Sequence, residues 1–381
     1  MWARAILAVV VTLLHGCASA PRPRAGAVIP TVELVAGRAL AVTPEPAPLL
    51  DDREVLAASP EMRAFVDRHV TRRTGADLRL RQLTQALIHA PGFRLQYDET
   101  TRTAAVTFQA RRGNCLSFSN MFVALARLAG LRASFQEVDT PPDWSFRDDV
   151  FVLNRHVNVL VDLGRKGEHV VDFNVDDVRS SYDRRSIRDT RARAHYYNNI
   201  AVERMQAGDT ASALGYLRKA IASDDAFSPA WTNLGILYAR NRRPAEAEAA
   251  YLRALEADRA DPVAMSNLSW LYERQGDTAR AAAYRKRVLA HRDRNPYYHY
   301  QLAREAFRTL DYDAAIGHLK HAVRMKRNDD QFYFLLSLSY LKKGDARTAR
   351  RYLARAEELA ATDILKRRYA SKMEALLRTA P

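Results

Sequence analysis

The chain has 381 residues, a net charge of +15, 48% hydrophobic residues and 27% charged residues. This length allows two or more folded domains, and this composition is typical of soluble globular protein. Together they exclude a chain that is too small or too polar to build a hydrophobic core. The charge is uneven, because residues 1–193 carry +5 and the remainder carries +10.

The first 17 residues have the pattern of an export signal. Arg4 supplies a positive charge, and the apolar stretch over residues 5–14 is shorter than the roughly 20 residues that a membrane-spanning helix needs. We therefore interpret residues 1–17 as a signal peptide. Cys17 at its end resembles the lipidated cysteine of bacterial lipoproteins, although His15 stands where such signals usually have a small or apolar residue.

That resemblance implies a lipid anchor on Cys17. With Ala18 following it, the protein is expected in the bacterial cell envelope, facing the periplasm from the outer membrane. The alternative is a plain cleaved signal peptide with an incidental cysteine. Export leaves little nucleic acid within reach, so we predict no nucleic-acid partner. After lipidation Cys115 is the sole free thiol, in a compartment where disulfides usually form.

The segment before the first folded domain is rich in proline and alanine. We predict that residues 18–50 form a linker between the anchor and the folded part. Helices are predicted over residues 60–70, with Ser59 as N-cap, over residues 77–89 and over residues 100–111. The last of these helices leads directly into the sequence around the second cysteine.

Cys115 follows a Gly-Asn pair and precedes apolar residues at helical spacing. Those residues are Phe118, Phe122, Leu125, Ala126 and Leu128. A thiol on the first turn of a helix lies near unpaired backbone N–H groups and the positive end of the helix dipole, which favour the thiolate. The sequence therefore predicts a nucleophile at this position. The alternative is a buried, inert cysteine.

Two Val-rich runs downstream are predicted to be the strands of one hairpin. His156 begins the first run, Asp172 lies in the second, and the polar segment between them contains two glycines. A register centred near Gly164 would place His156 opposite Asp172, although the sequence alone does not fix the register. These residue types suit a base and the carboxylate that orients it.

The Gly-Asn-Cys helix start, the strand that begins with His156 and Asp172 on the next strand follow one another in the order of a known family. They resemble the transglutaminase-like superfamily of papain-related folds. The resemblance covers roughly residues 59–178 and implies an α+β papain/transglutaminase-like domain, which we place at residues 51–190. It also implies that Cys115, His156 and Asp172 are catalytic.

The resemblance bears on two further positions. Gln109 lies six residues before Cys115, the spacing at which papain-like enzymes keep an oxyanion-hole glutamine. It is therefore a candidate for that role, and the alternative is a solvent-facing helix residue. Asn158 departs from the family, many members of which have an aromatic residue two places after the histidine. Details of the substrate site are therefore not carried over.

An internal repeat of 34 residues occupies the second half of the chain. Small alanines and larger apolar residues recur at fixed places, as in helix pairs that stack on one another. The copies resemble tetratricopeptide repeats. This implies an all-α tetratricopeptide-repeat solenoid over residues 194–363, which binds a protein or peptide partner, and a capping helix over residues 364–381. The five copies begin at Ala194, Ser228, Pro262, Pro296 and Asp330.

The basic repeats would suit an acidic partner, an anionic cell-wall polymer or a membrane surface, and the alternative is a solvated arginine-rich surface. His318 and His321 are spaced to meet on one helix face. The sequence shows no third ligand at suitable spacing. We therefore predict no metal and no other cofactor.

Together these patterns predict an exported, lipid-anchored thiol enzyme that transfers acyl groups through a thioester on Cys115. Hydrolysis of a peptide or amide bond is the preferred reaction, and the repeats are expected to recruit the protein substrate or partner. The first alternative is a protein transglutaminase. The second is a non-catalytic envelope scaffold that acts through its repeats.

Overall fold

An α+β domain precedes a region built from helices alone. The computed structural model describes residues 29–40, 48–89, 94–138, 145–147, 150–152, 156–173, 182–360 and 362–378. The predicted signal peptide and its Cys17 lie outside these residues. Among the described residues, none of the helices combines the length and the hydrophobicity needed to span a lipid bilayer.

A short helix, α1 (Thr31–Ala36), lies inside the segment predicted as a linker. Leu34 is buried, and its carbonyl oxygen accepts a 2.6 Å hydrogen bond from the Tyr238 hydroxyl in the repeat region. The Arg218 guanidinium also donates to main-chain carbonyls at the end of α1. The linker prediction therefore does not hold for residues 29–40, because apolar burial and these carbonyl contacts hold them against the repeats.

Four helices of the N-terminal domain follow, and polar caps fix where three of them begin, the last one included. The Ser59 hydroxyl accepts a hydrogen bond from the Met62 N–H at 3.3 Å, as expected for the predicted N-cap. Thr103 accepts one from the Val106 N–H, so the helix predicted over residues 100–111 begins only after Thr103. These helices are α2 (Pro60–His69), α3 (Ala76–His89), α4 (Ala104–Ala110) and α5 (Cys115–Leu128).

The strands of this domain form one main sheet and two small ladders. The main sheet is antiparallel, with the order β7-β6-β3-β8. The short parallel ladder of β1 and β2 ends directly before α5, and β4 pairs with β5. The strands are β1 (Gln96–Tyr97), β2 (Arg112–Gly113), β3 (Arg132–Val138), β4 (Ser145–Arg147), β5 (Val150–Val152), β6 (His156–Asp162), β7 (Glu168–Val171) and β8 (Arg184–Ile187).

The main sheet has one apolar face, which packs against α5. Phe135, Val157 and Val159 alternate with polar neighbours along β3 and β6 and are buried in the same core as the apolar face of α5. The Ser119 hydroxyl of α5 donates to the Val157 carbonyl oxygen at 3.1 Å. Packing and this bond fix the start of α5 relative to the start of β6.

Five helix pairs form the repeat region, as the 34-residue pattern predicts. Four pairs begin at the predicted residue, whereas the first begins at Asp189, five residues before the predicted start. The helices are α6 (Asp189–Gln206), α7 (Thr210–Ser223), α8 (Ser228–Arg240), α9 (Pro244–Ala257), α10 (Pro262–Arg274), α11 (Thr278–Asp293), α12 (Pro296–Arg308), α13 (Tyr312–Met325), α14 (Asp330–Lys342) and α15 (Ala346–Leu359).

A last helix, α16 (Asp363–Arg378), covers the fifth repeat. The Tyr369 hydroxyl donates to the Asp330 carboxylate at 2.5 Å, and its ring stacks on Phe334 with centroids 4.2 Å apart. These contacts bury apolar surface that the end of a repeat array would otherwise expose to water.

The two regions are joined by a buried ionic cluster around Glu137 of β3, which is 5% exposed. Its carboxylate lies 2.7 Å from His195 Nε2 and 2.9 Å from Arg191 Nε, both on α6, and it also pairs with Arg185 of β8. Burial raises the pKa of Glu137, but the bonds to His195 and Arg191 lower it far more, so the carboxylate stays charged.

A second contact between the regions involves the middle repeats. Tyr182 packs edge-on against Tyr297 of α12, with ring centroids 5.1 Å apart, and Val138 at the end of β3 belongs to the same apolar cluster. The β5 strand contacts α10. The N-terminal domain therefore lies against the first helices of the third and fourth repeats.

Candidate active site

Cys115 is the first residue of α5 and is half-buried. The side chain of Asn114, the N-cap, accepts a 2.9 Å hydrogen bond from the Ser117 N–H and donates one of 2.8 Å to the Thr101 hydroxyl. The Ser117 hydroxyl donates to Asn114 Oδ1 and accepts from the Arg102 N–H, both at 2.9 Å. These bonds fix the start of α5 at the residue that carries the thiol.

Gly113 is required by close packing at this turn. A Cβ at this position would lie 2.6 Å from Ser117 Cβ and 3.0 Å from its hydroxyl oxygen. The Gly113 carbonyl oxygen accepts a 3.1 Å hydrogen bond from the Asp98 N–H, which anchors the strand that leads into α5. The Gly-Asn-Cys order therefore supplies, in turn, space for the cap, the cap itself and the thiol on the first helical turn.

His156 is the first residue of β6 and is 7% exposed. Its Nε2 lies 2.9 and 3.0 Å from the two carboxylate oxygens of Asp172. Cys115 also lies beside the imidazole, near enough to raise its pKa. Because Asp172 occupies Nε2, Nδ1 is the ring nitrogen left for another partner. The structure thus brings together the three residues that the sequence selected.

Two opposing effects set the protonation of His156. Burial lowers its pKa, whereas the hydrogen bonds to Asp172 and Cys115 raise it more, to about 9. At neutral pH the ring is therefore an imidazolium that lies between a carboxylate and a thiol. His156 is thus a group that can hold or release a proton beside the thiol.

The register of β6 against β7 differs from the predicted one by two residues. Val159 pairs with Val171, so the ladder continues to Asn158 opposite Asp172, and His156 reaches Asp172 diagonally from two residues away. Asn158 Nδ2 donates to Asp172 Oδ2 at 2.8 Å. The carboxylate is therefore held by an amide as well as by the imidazole.

Two buried amides lie beside these residues on the sheet, and the sequence analysis did not place either of them at the site. Asn158 is fully buried, and Gln136, directly opposite it on β3, is 7% exposed. Across the described residues, Asn158 Oδ1 and Gln136 Oε1 have no hydrogen-bond partner. A usable signal was present in the sequence, because His156 and Asn158 alternate with valines and so share one face of β6.

Within the described part of the chain, the structure shows no hydrogen bond from Gln109 to the three candidate catalytic residues. Gln109 is exposed on α4. Its role in an oxyanion hole stays a prediction. The lipidation of Cys17 is likewise untested, since that residue lies outside the described part of the chain.

Comparison with known families agrees with this geometry. Residues 64–167 match the transglutaminase-like superfamily, a range that includes Cys115 and His156 and ends before Asp172. Two tetratricopeptide repeat families match the second half, at residues 198–262, 264–297 and 300–364. The chain carries a transglutaminase-like domain followed by tetratricopeptide repeats.

Several solved structures match the chain at low identity and low TM-score. MamA is 20% identical and covers 44% of this chain and 91% of its own, with a TM-score of 0.25. YrrB, described as a TPR protein with an unusual peptide-binding site, is 17% identical, with coverages of 47% and 92% and a TM-score of 0.25. PilF of Pseudomonas aeruginosa is 18% identical, with coverages of 49% and 87% and a TM-score of 0.27. No curated protein matches the chain.

The transglutaminase-like domain and the repeats differ in the kind of function that their families have. The domain matches the transglutaminase-like superfamily and brings Cys115, His156 and Asp172 together. Tetratricopeptide repeats generally bind proteins or peptides, and this chain has five of them beside that domain. The predicted fold class, an α+β domain followed by an all-α repeat region, is confirmed.

Proposed function

We propose that this protein is a thiol enzyme that transfers acyl groups, with Cys115 as the nucleophile. The observation that carries the proposal is the His156 imidazole, which is bonded to Asp172 at Nε2 and has Cys115 near enough to raise its pKa. In these roles Asp172 orients the ring and stabilises its positive charge, while His156 moves the proton.

The first half-reaction forms a thioester. The Cys115 sulfur attacks the carbonyl carbon of a peptide or amide bond, and the C–N bond breaks as His156 gives its proton to the leaving nitrogen. The Cys115 N–H is at the first helical position and has no acceptor within its own helix. We assign this N–H to the developing oxyanion, to which Gln109 is predicted to add a second donor.

The second half-reaction releases the acyl group. His156 takes a proton from water, the water oxygen attacks the thioester carbon, and the C–S bond breaks to give a carboxylic acid and the free thiol. Hydrolysis of a peptide or amide bond is therefore the proposed reaction. A primary amine in place of water would give a transglutaminase.

The repeats are proposed to bring a protein or peptide to this site. The transglutaminase-like domain contacts α10 through β5 and α12 through Tyr182, so a segment bound along these first helices would lie beside the domain. The +10 charge of the second half of the chain favours an acidic segment.

Alkylation of Cys115 by iodoacetamide tests the nucleophile directly. In a Cys17→Ala background Cys115 is the remaining cysteine, so the label reports this thiol alone. At neutral pH we expect it to react faster than a small model thiol, and we expect His156→Ala to slow the reaction by about tenfold or more.

The matched control for this test is His169→Ala. His169 is on the same hairpin but is exposed, so its removal is expected to leave the rate unchanged. If Cys115 reacts no faster than the model thiol and His156→Ala has no effect, the enzyme proposal fails and the scaffold alternative remains.

A labelled primary amine separates the two reactions. The protein is incubated with a mixture of glutamine-containing proteins and the amine, with Cys115→Ala as the control. Release of peptide fragments or ammonia without amine incorporation supports hydrolysis. Incorporation that depends on Cys115 would instead identify a protein transglutaminase.

We also propose that a lipid on Cys17 anchors the protein to the outer membrane, facing the periplasm. The support is the sequence pattern of residues 1–17 alone. Metabolic labelling with palmitate in a bacterial host is expected to mark the wild-type chain and not Cys17→Ala. A label that persists in Cys17→Ala, or none in the wild type, rejects the anchor.

A further inference from the structure

A cluster of histidines lies in the fourth repeat, away from the candidate active site. His299 is on α12, His318 and His321 are on α13, and Asp293 is the last residue of α11. The sequence alone pointed to the pair on α13 and offered no third ligand. The fold brings Asp293 and His299 to this pair, because α11 ends where α12 and α13 pack together.

The candidate ligand atoms of the cluster lie close together. One ligand atom from each of Asp293, His299 and His321 lies within 4.8 Å of the others. His299 Nε2 is 3.5 Å from Asp293 Oδ1, and the rings of His299 and His321 have centroids 4.2 Å apart. Tetrahedral zinc with bonds of about 2.0–2.1 Å places its ligand atoms roughly 3.3 Å apart.

The remaining nitrogen of His299 has a partner of its own. His299 Nδ1 lies 3.4 Å from His318 Nδ1, which allows one of them to donate to the other. Histidine ligands usually donate their second N–H to an outer partner, which fixes the ring and its tautomer. His299 is 6% exposed, so the surrounding helices already hold its ring in place.

We propose that Asp293, His299 and His321 bind a divalent transition-metal ion, with His318 as the outer partner of His299. Imidazole and carboxylate donors suit zinc, nickel or copper better than magnesium or calcium, which prefer sites made of oxygen alone. The carboxylate is exposed and His321 is half-buried, so the ion has access from solvent.

The ion would join the end of the third repeat to both helices of the fourth. In the absence of metal, His299 Nε2 lies 3.0 Å from the Asp293 carbonyl oxygen, and an Arg324 nitrogen lies 2.9 Å from His321 Nδ1. Metal binding displaces the first contact and requires Arg324 to move, which its exposed side chain allows. Arg324 is therefore a competitor whose removal should strengthen binding.

Calorimetric titration of the full chain with zinc tests the proposal. The parent protein carries Cys17→Ala and Cys115→Ala, which removes both thiols as competing ligands. We expect one equivalent of zinc to bind and to raise the thermal denaturation midpoint. Affinity should fall by about 10- to 100-fold in His321→Ala and in Asp293→Asn, and it should rise in Arg324→Ala.

His291→Ala is the matched control. His291 is on α11, as Asp293 is, but it lies near Asp258 and Asp261. Its affinity for zinc should equal that of the parent. Cobalt in place of zinc should show the intense visible absorption of four- or five-coordinate sites, and His321→Ala should lose it. No binding, an aquo-like cobalt spectrum or unchanged affinity in both ligand variants would overturn the proposal.

Discussion

At the scale of single residues, the candidate site depends on how Asp172 is held. Its two oxygens bond His156, and one of them also accepts from Asn158 at 2.8 Å. The imidazole therefore has a fixed orientation beside Cys115. Asn158 acts through Asp172 and His156, so we regard it as a positioning residue.

The raised pKa of His156 predicts a pH-dependent stability. The ordinary value of 6.5 in the unfolded chain becomes about 9 in the folded protein, a difference equivalent to roughly 3 kcal/mol. This contribution is fully present below pH 6.5 and is lost as the pH rises through about 9. Urea denaturation of the wild type should show this decline, and His156→Gln should not. Equal pH slopes in the two proteins would contradict the prediction.

Replacement of Asn158 tests its positioning role. Asn158→Leu keeps the size of the side chain and removes the donor to Asp172. Because a hydrogen bond to a charged group is worth about 1.5–3 kcal/mol, we expect alkylation of Cys115 to slow by about tenfold and its pH profile to shift. Denaturation by urea checks that the fold persists. A folded variant with the rate and profile of the wild type would show that Asn158 has no such role.

At the scale of elements, caps and close contacts decide where the helices begin and how they pack. Asp209, Asp277 and Asp345 each cap the second helix of a repeat, and each follows a glycine with positive φ. These Gly-Asp pairs were readable in the sequence, because each ends one helix and caps the next. The repeat boundaries follow from such local chemistry.

Close packing between two helices of one repeat makes Gly235 sensitive. A Cβ on Gly235 would lie 2.5 Å from ring atoms of Tyr251, which is 1% exposed. Gly235→Ala should therefore cost about 1–3 kcal/mol in the free energy of unfolding measured with urea. Gly317→Ala on α13 is the control, because its Cβ meets nothing within 4 Å. It should be neutral or stabilising by up to about 1 kcal/mol, and equal losses in both variants would contradict the packing argument.

At the scale of the whole molecule, the ionic cluster at Glu137 joins the transglutaminase-like domain to the repeats. The carboxylate is buried between β3 and α6, and Arg191 extends the cluster to Asp224 at 3.0 Å. The two regions therefore share a buried charged interface in addition to the apolar contact at Tyr182.

Removal of the Glu137 carboxylate should weaken this interface. Glu137→Ala removes a partner of the buried His195 and of the half-buried Arg191, so we expect a loss of about 3–5 kcal/mol and a separate calorimetric transition for each region. The lowered pKa of Glu137 means that the effect is fully present above pH 4.5 and shrinks as the pH falls. Glu273→Ala removes an exposed pair with Arg285 and should cost about 1 kcal/mol or less. Similar losses in both variants would contradict a role for Glu137 at the interface.

The sequence by itself determined many of the helices and the two strands around His156 and Asp172, because their signals are readable along the chain. The Ser59 cap and the Gly-Asn-Cys turn act within a few residues, and the 34-residue period repeats in the sequence itself. The choice of Cys115, His156 and Asp172 rested on residue type and order, and the structure brings the three together. The linker prediction failed at α1 because its docking depends on distant Tyr238 and Arg218.

Only the tertiary structure decided which residues meet across long distances along the chain. The hairpin register, which places Asn158 rather than His156 opposite Asp172, follows from the pairing of the whole sheet. The cluster of Asp293 and His299 with two histidines of α13 follows from how three helices pack. Sequence periodicity gives the face on which a side chain lies, but the neighbour that this face meets depends on the packed fold.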